Sequence, residues 1–290
     1  MMPLLFAFAR ETKQEDLADF AAAVYAANGE RGEGLHHTIR TLRRLIYQSR
    51  ALHEMAAYAS TQPLHGAVEY LPDLQLAALR AGTLTLHAKG GHNREHHNHN
   101  DVGSFTLYDG STPLLVDVGI NTYTGLHFNR ETRYVAIPWV RSPYHNLPIV
   151  NGQEQQYGSD FRGDAFAVRE GEITVSFAGA YLPEAGLEKL TRTLLLTENG
   201  LCLTDAFSFA DGANRAVTEV LMSVLPVDAE ADRVVLGQRY SLRAEGGRIR
   251  TEFIPFTDPL LERDWGCTGV TRILLDFENT ENICIEVTKL

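Results

Sequence analysis

The spacing of apolar residues changes once along the chain, and the change divides it into two parts. In the first sixty residues apolar side chains recur at three and four positions, which is the repeat of an amphipathic helix. Thr12 and Glu15 form a capping box ahead of the first such stretch, and Gly29 follows its end. A second helix is predicted over about 35–59. We therefore expect residues 1–65 to form a helical segment.

From about residue 78 onwards the repeat shortens to two, which is the repeat of a strand with one buried face. Turn-forming pairs such as Asp211-Gly212 and Gly246-Gly247 separate several of these stretches. Short strands that follow one another without helices favour an antiparallel sandwich over a parallel sheet. We expect residues 66–290 to form this domain, in a fold that is mainly β with N-terminal helices. The predicted strands are 83–89, 105–108, 113–118, 173–177, 192–196, 200–204, 217–224, 234–236, 241–244, 248–254, 272–277 and 282–287.

Composition and charge exclude several classes of partner. The chain has 290 residues, of which 44% are hydrophobic and 22% charged, as in an ordinary globular protein. A formal net charge of -11 argues against nucleic acid and against anionic membrane surfaces. No apolar run is long enough to span a membrane, and the apolar start lacks the basic residues of a signal peptide. The expected location is the cytoplasm.

Cysteine usage gives no sign of a disulfide framework. The three cysteines are sparse, and none lies in a CxxC motif or has a histidine at ligand spacing. Cys202 and Cys284 fall in alternating stretches, where we expect them to be buried small apolar side chains.

The densest chemistry in the sequence lies in the segment His96–Asp101, which holds three histidines and an aspartate. If a strand begins in this segment, His97 and His99 share a face because they are two residues apart. Asp117 comes eighteen residues after His99, a distance that suits the next strand of a hairpin, and His145 follows a long polar loop. Titratable groups gathered in this way indicate a metal site or an acid–base reaction.

Two imidazoles and one carboxylate are the donors of a zinc site that keeps an open position. His99, Asp117 and His145 form that candidate set, which leaves His97 for proton transfer. One alternative is a group of surface histidines in a polar loop. Another is a cupin metal site, which begins with a similar H-x-H but requires a glutamate where this chain has residues 101–104, Asp-Val-Gly-Ser.

The order of these residues and their neighbours resembles a known family. The similarity is to the C-terminal domain of the heparinase II/III-like polysaccharide lyases. It implies an incomplete α/α toroid followed by an antiparallel β-sandwich. It also implies cleavage of uronate-containing glycans, such as heparin, heparan sulfate or alginate, by β-elimination. The segments that carry the resemblance are 97–105, 115–119, 122–124, 133–134, 142–148 and 150–153.

The resemblance also implies roles for single residues. His99, Asp117 and His145 match the zinc ligands of the family, and His97 matches the histidine implicated in proton transfer. Tyr134 lies where alginate-cleaving relatives have a tyrosine in the cleft, although a packing role suits it equally well.

Basic residues near the motif offer a way to attract an acidic glycan despite the negative net charge. Arg94, Arg133 and Arg141 are candidates for binding a uronate or sulfate group, with Lys89 close by. Tyr123 is a further candidate for substrate binding. The alternatives are scattered surface cations and an aromatic residue that only packs.

The chain departs from the family before the histidine motif. Only 96 residues precede His97, whereas the family places a much longer toroid domain there. The toroid supplies an Asn or His that neutralises the substrate carboxylate and a catalytic Tyr, and neither has a matching position here. Three interpretations are open: a fragment of a longer lyase, which could be periplasmic, half of a split enzyme, or a module that binds glycan or metal without turnover. The resemblance implies that the helices of residues 1–65 match the last helices of the toroid. Their exposed inner faces would favour a homo-oligomer or a partner chain that supplies the missing part.

Overall fold

The structure, a computed structural model, describes residues 2–28, 42–58 and 66–290. The chain divides into two compact units, Met1–Gly66 and Ala67–Leu290. The interpretation of the first unit as the last helices of a toroid stays a prediction. No helix in the described part of the chain is both long and apolar enough to cross a membrane.

The first unit contains three helices, α1 Met2–Glu11, α2 Glu15–Asn28 and α3 Leu42–Ala56. Their small and apolar side chains, among them Phe6 and Met55, form a core of their own. The helical repeat of the sequence is thus confirmed for these ranges. Positions 35–41 and 59 of the predicted second helix lie outside the described residues.

The predicted capping box at the start of α2 is wrong. The Thr12 hydroxyl donates to the carbonyl oxygen of Phe8 at 2.8 Å, so it bonds to the last turn of α1. The helix that the box was expected to open begins at Glu15 itself. The motif failed because a helix already precedes it, and the free carbonyls at the end of that helix attract the hydroxyl.

The second unit is built from antiparallel strands. Each of the twelve predicted strands overlaps an observed strand, but seven of the strands in the described residues were not predicted. Two short helices, α4 Arg130–Ala136 and α5 Pro259–Trp265, interrupt the series, which corrects the expectation of strands alone. The strands are β1 Val68–Leu71, β2 Leu76–Ala81, β3 Leu84–Lys89, β4 His92–Asn93, β5 Phe105–Asp109, β6 Thr112–Leu115, β7 Pro148–Val150, β8 Gly158–Arg162, β9 Ala165–Arg169, β10 Glu172–Ser176, β11 Leu187–Thr197, β12 Gly200–Phe209, β13 Val217–Ser223, β14 Val227–Ala229, β15 Val234–Leu236, β16 Tyr240–Ala244, β17 Arg248–Pro255, β18 Gly269–Phe277 and β19 Asn282–Lys289.

These strands form three main sheets. One has the order β1-β2-β3-β5-β6, the largest has the order β14-β15-β16-β19-β12-β11-β10-β9, and the third has the order β17-β18-β13-β7. A two-stranded ribbon joins β4 to β8. One continuous core contains side chains from all three main sheets, for example Leu86, Leu194 and Leu275. Such packing of sheet faces is a β-sandwich, so the predicted fold class is confirmed.

A main-chain hydrogen bond links two of the sheets, and the outer face of the largest sheet carries two cysteines. The main-chain N–H of Val116 donates to the carbonyl oxygen of Met222 at 2.9 Å, so the end of β6 is joined to β13 where their sheets meet.

In the largest sheet Cys284 is exposed and Cys202 is half-buried. The expectation that both cysteines are buried is therefore wrong, because their positions in the alternation face outwards.

Candidate metal centre and its surroundings

The histidine motif lies in a loop between β4 and β5 and not at the mouth of a strand. β5 begins only at Phe105, and His97 has a left-handed backbone with φ of 59°. His97 and His99 therefore do not share a strand face, which corrects the geometry expected from the sequence. His97 is exposed, whereas His99 is half-buried.

Buried amide side chains hold this loop in place. The side chain of Gln155 accepts a hydrogen bond from the N–H of Val102 and donates to its carbonyl oxygen, at 3.2 and 2.7 Å. The Asn93 side chain accepts from the N–H of Asp101 at 3.2 Å and donates to Gln155 at 3.1 Å. A loop fixed by buried bonds of this kind can hold its side chains in one geometry.

The loop brings His99 next to Asp117 and His145, as the sequence predicts. One ligand atom from each of the three lies within 4.8 Å of the others. The rings of His99 and His145 are 5.3 Å apart, and Nδ1 of His145 lies 3.0 Å from Oδ2 of Asp117. Asp117 follows the end of β6 by two residues, and its other oxygen accepts from the N–H of Gly119 at 2.9 Å. Asp117 is thus beyond the strand that was expected to contain it.

The three groups shift one another's protonation. Burial and the neighbouring His145 lower the pKa of His99 to about 4. Burial alone would lower the pKa of His145, but the Asp117 carboxylate beside it raises that pKa above its ordinary value. Against the effect of burial, His145 and His99 hold the pKa of Asp117 well below its usual range. At neutral pH the site thus offers an ionised carboxylate and a neutral imidazole, the forms that bind metal.

A metal fits these residues on a structural ground as well. Nε2 of His145 is buried, and it makes no hydrogen bond within the described part of the chain. A buried polar atom without a hydrogen bond lowers the stability of the fold unless a ligand or metal ion binds it. The donor set of two imidazoles and one carboxylate suits zinc or a similar transition metal.

Asn146 links the segments that carry the ligands. Its side-chain amide donates to the carbonyl oxygens of Phe105 and Val116 at 2.6 and 3.2 Å, and its oxygen accepts from the N–H of Met222 at 2.7 Å. Because Asn146 follows His145 and Val116 precedes Asp117, one buried side chain fixes two ligand-bearing segments. We did not predict this role from the sequence.

A fully buried ion cluster lies behind Asn146. Arg192 forms a bidentate pair with Asp205, at 2.8 and 2.6 Å, and a third bond to Glu219 at 3.0 Å. Its remaining nitrogen donates to the carbonyl oxygens of Gly103 and Asn146 at 3.1 and 2.6 Å. The guanidinium therefore links the histidine loop to the segment that contains His145 by buried hydrogen bonds.

His97 and Tyr123 form the exposed side of the site. Nδ1 of His97 lies 3.4 Å from the Tyr123 hydroxyl, and the Tyr123 side chain is 49% exposed. The Tyr123 loop is fixed from behind, because Asp258 accepts from the N–H and the hydroxyl of Thr122 at 2.7 and 2.9 Å. Phe128, 78% exposed, stacks on Tyr123 with 5.8 Å between ring centroids. Phe128 was not among the predicted residues, since nothing in its sequence context distinguishes it from a packing aromatic.

Tyr134 lies differently from His97. Its hydroxyl oxygen is buried, its ring packs 5.1 Å from that of Tyr157, and Arg133 lies over the ring at 5.4 Å. This environment favours the packing interpretation of Tyr134. Its predicted catalytic role stays a prediction.

The basic residues are mostly engaged by the protein itself. Arg133 donates to the carbonyl oxygen of Asn98, and Arg141 forms a bidentate pair with Glu154 at 2.7 and 3.0 Å. Lys89 pairs with Asp101 at 2.6 Å, which raises its pKa even though burial opposes the shift. Arg94 is exposed. The substrate-binding roles of the arginines stay predictions, and Arg94 is the one whose exposure suits such a role best.

A groove of about 610 Å³ opens beside Asp117. Its walls are mostly apolar and include Tyr70 and Phe105, while Lys89 and Asp101 stand near the metal-site end. Among the three candidate metal donors, Asp117 borders this groove.

Comparisons with known proteins agree with this architecture. The sequence profile described as heparinase II/III-like, C-terminal, matches residues 65–224. A heparinase III structure superposes with a TM-score of 0.61 at 11% identity, over 86% of this chain and 42% of that one. The heparan sulfate lyase HepC from Pedobacter heparinus gives 0.61 at 12% identity, over 93% and 42%. A Streptomyces coelicolor chondroitin AC lyase in complex with chondroitin sulphate gives 0.51 at 13% identity, over 94% and 41%.

At these identities the structural matches show the fold alone. The chain spans about two fifths of the length of the solved structures it matches. No curated protein sequence matches it significantly.

Proposed function

The chain belongs to the heparinase II/III-like family, and from this premise we propose that it supplies the β-sandwich half of a lyase centre. The proposed reaction is β-elimination on a uronate-containing acidic glycan of the heparin, heparan sulfate or alginate type. The observation that carries the proposal is an exposed His97 beside a buried group of metal donors, since an acid–base residue must reach substrate while its support stays fixed.

β-Elimination makes three demands on a site. The uronate carboxylate must be neutralised, the proton on the adjacent ring carbon must be removed, and the departing glycosidic oxygen must be protonated. An imidazole serves for either proton step near neutral pH, and His97 is exposed, so a ligand can reach it. Tyr123, with its hydroxyl 3.4 Å from His97, is placed to orient the ring or to exchange a proton with it.

We propose zinc as the metal, held by His99, Asp117 and His145. When bound, it supplies positive charge that fixes the loop and orders the residues next to it. The reaction consumes no water, so the proposed contribution of these three residues is to hold the floor of the cleft.

Binding of the glycan would use the exposed side chains around His97. Phe128 and Tyr123 present a stacked, solvent-facing aromatic pair that suits the apolar face of a sugar ring. Arg94, exposed in the same loop as His97, is the proposed contact for a carboxylate or sulfate. The net charge of -11 makes such a local cation necessary for an anionic substrate.

The test is the ultraviolet absorbance of unsaturated uronate products after the chain is mixed with heparin, heparan sulfate or alginate. We expect His97→Ala to abolish product formation and Tyr123→Phe to reduce it. His96→Ala is the matched control, because His96 is equally exposed and adjacent. Equal loss in the His96 and His97 variants would contradict the role given to His97.

A second candidate function is a glycan-binding module, or one half of a split lyase, that needs another chain for turnover. The observation in its favour is that the chain spans only about two fifths of the solved lyases it matches. This candidate predicts glycan binding without product. Product that appears only after addition of a toroid-bearing chain would identify a split enzyme, whereas product from this chain alone would exclude the module.

A further inference from the structure

Two cysteines lie side by side on the outer face of the largest sheet. On β12 and β19 the register pairs Cys202 with Glu286 and Thr204 with Cys284. The two cysteines are thus diagonal neighbours on one face, and their sulfur atoms are 3.8 Å apart. Nothing in the proposed lyase reaction uses them.

The sulfur–sulfur distance distinguishes two uses of such a pair. A disulfide requires a separation of about 2.05 Å, so the strands would have to bring the sulfurs about 1.7 Å closer. Two zinc–sulfur bonds of about 2.3 Å that meet at a tetrahedral angle place their sulfurs about 3.8 Å apart. In the structure the two thiols are in contact as a weak hydrogen-bonded pair, and their spacing is also the one that a metal ion bound by both sulfurs requires.

A carboxylate and a favourable net charge lie next to the pair. Glu286 is opposite Cys202 and two residues from Cys284, and it borders a hollow on each side, of about 500 and 140 Å³. The larger hollow is also lined by Asp232, Glu245 and Arg243, and Arg243 lies opposite Glu286 and 3.7 Å from Asp232. The lining keeps a negative net charge with Arg243 included, which lowers the energy of a cation there, while two sulfurs select for a soft one.

We propose that Cys202 and Cys284 form a second metal site, with Glu286 as the neighbouring carboxylate, specific for a soft divalent cation of the zinc and cadmium type. Binding replaces the two thiol protons with two metal–sulfur bonds, and the protons go to solvent. Binding at this site therefore tightens as pH rises. The proposal does not depend on the lyase function.

The test uses Cd²⁺ with the full, reduced chain, because cadmium–thiolate bonds absorb in the ultraviolet and imidazole or carboxylate bonds do not. We expect the wild type to develop this band with one equivalent of Cd²⁺. Cys284→Ser should lose the band and weaken binding at this site by about tenfold or more. His99→Ala should keep the band, which separates the two sites. Cys267→Ser is the matched control, since the Cys267 sulfur is bonded to the carbonyl oxygen of Gly269.

A second measurement needs no variant and works on the wild type. Cd²⁺ should slow the alkylation of Cys202 and Cys284 by at least about tenfold, as expected when a ligand occupies the reactive thiolates, and leave Cys267 unaffected. The proposal is overturned if no thiolate band forms, or if alkylation is equally fast with and without Cd²⁺. It is also overturned if oxidised glutathione converts the pair to a disulfide as readily in saturating Cd²⁺ as in its absence.

Discussion

The floor of the candidate site, formed by His99, Asp117 and His145, and its rim, formed by His97 and Tyr123, are built in opposite ways. The floor rests on buried bonds, and the His145 side chain is only 1% exposed. The rim faces solvent, and the bond between its two members, at 3.4 Å, is long. Both come from residues 97–145, and His97 lies only two residues from His99, yet the two parts differ in how much of the fold supports them.

The difference follows from what each part has to do. Metal donors must keep fixed positions, because a change of a few tenths of an ångström in a metal–donor distance alters metal affinity. Buried hydrogen bonds of Arg192 and Asn146 fix the segments that carry these donors. A group that exchanges protons with a substrate must be reached by that substrate, which exposure provides. Mutations should therefore affect stability and metal binding at the floor, but affect chemistry at the rim.

The largest effect is expected from Arg192→Met, which removes the centre of the buried ion cluster. Asp205 and Glu219 would be left buried without their cation, a loss of about 3–5 kcal/mol in the free energy of unfolding. Urea denaturation measures it. Arg250→Met is the control, since the Arg250–Asp276 pair is half-exposed and should cost no more than about 1 kcal/mol. If Arg192→Met lost no more stability than Arg250→Met, the floor would be supported by other contacts.

Asn146→Ala comes next, with an expected loss of about 2–4 kcal/mol from three buried bonds. The more telling readout is metal affinity, measured by competition with a chelator, which should fall about 10–100-fold. Asn151 is a matched control because its side chain also makes three bonds to main-chain atoms, those of Ala185, Asn214 and Ala216. Asn151→Ala should lower stability and leave metal affinity unchanged. If both variants lost metal affinity equally, the loss would come from lower stability in general, and the role given to Asn146 would be wrong.

Glu219→Gln tests the protonation of the buried cluster and should have a smaller effect. Burial and the nearby Asp205 raise the pKa of Glu219 well above its ordinary value. The folded chain thus keeps a proton that the unfolded chain loses above about pH 4.3, so stability falls as pH rises from there towards the raised pKa, by up to about 1.4 kcal/mol per pH unit. Glutamine cannot ionise, so the variant should show a shallower decline in urea denaturation across this pH range. An unchanged slope would contradict this protonation.

Much of this support could be predicted from the alternating pattern. Arg192 has the same phase as Leu190 and Leu194 along β11, and Asp205 has the same phase as Leu203 along β12. Glu219 likewise alternates in phase with Val217. Charged residues at inward positions of neighbouring strands must pair, because an isolated buried charge is too costly. The inward phase of the three residues could thus be predicted, but not that they meet, because the sequence does not state which strands are neighbours.

Other features depend on contacts between distant parts of the chain, which a local pattern cannot contain. The ligand set followed from residue type and order, but the loop that carries His97 is shaped by Gln155, more than fifty residues away. β1 was not predicted because its four residues are all exposed and show no alternation. The exposed partner of Tyr123, Phe128, depends on the short turn between them, which the sequence does not distinguish from a packed one.

The smallest change in stability is expected from His97→Gly, and it tests the rim most directly. His97 has a left-handed backbone that costs a side-chain-bearing residue roughly 0.5–1 kcal/mol and glycine almost nothing. The variant should therefore be equally stable or more stable by up to that amount, with its metal content unchanged, although it loses the proposed proton transfer. Urea midpoints and metal analysis on the same preparation measure both. His99→Gly should instead lose the metal. If His97→Gly also loses it, the rim helps to hold the metal, and the distinction between rim and floor fails.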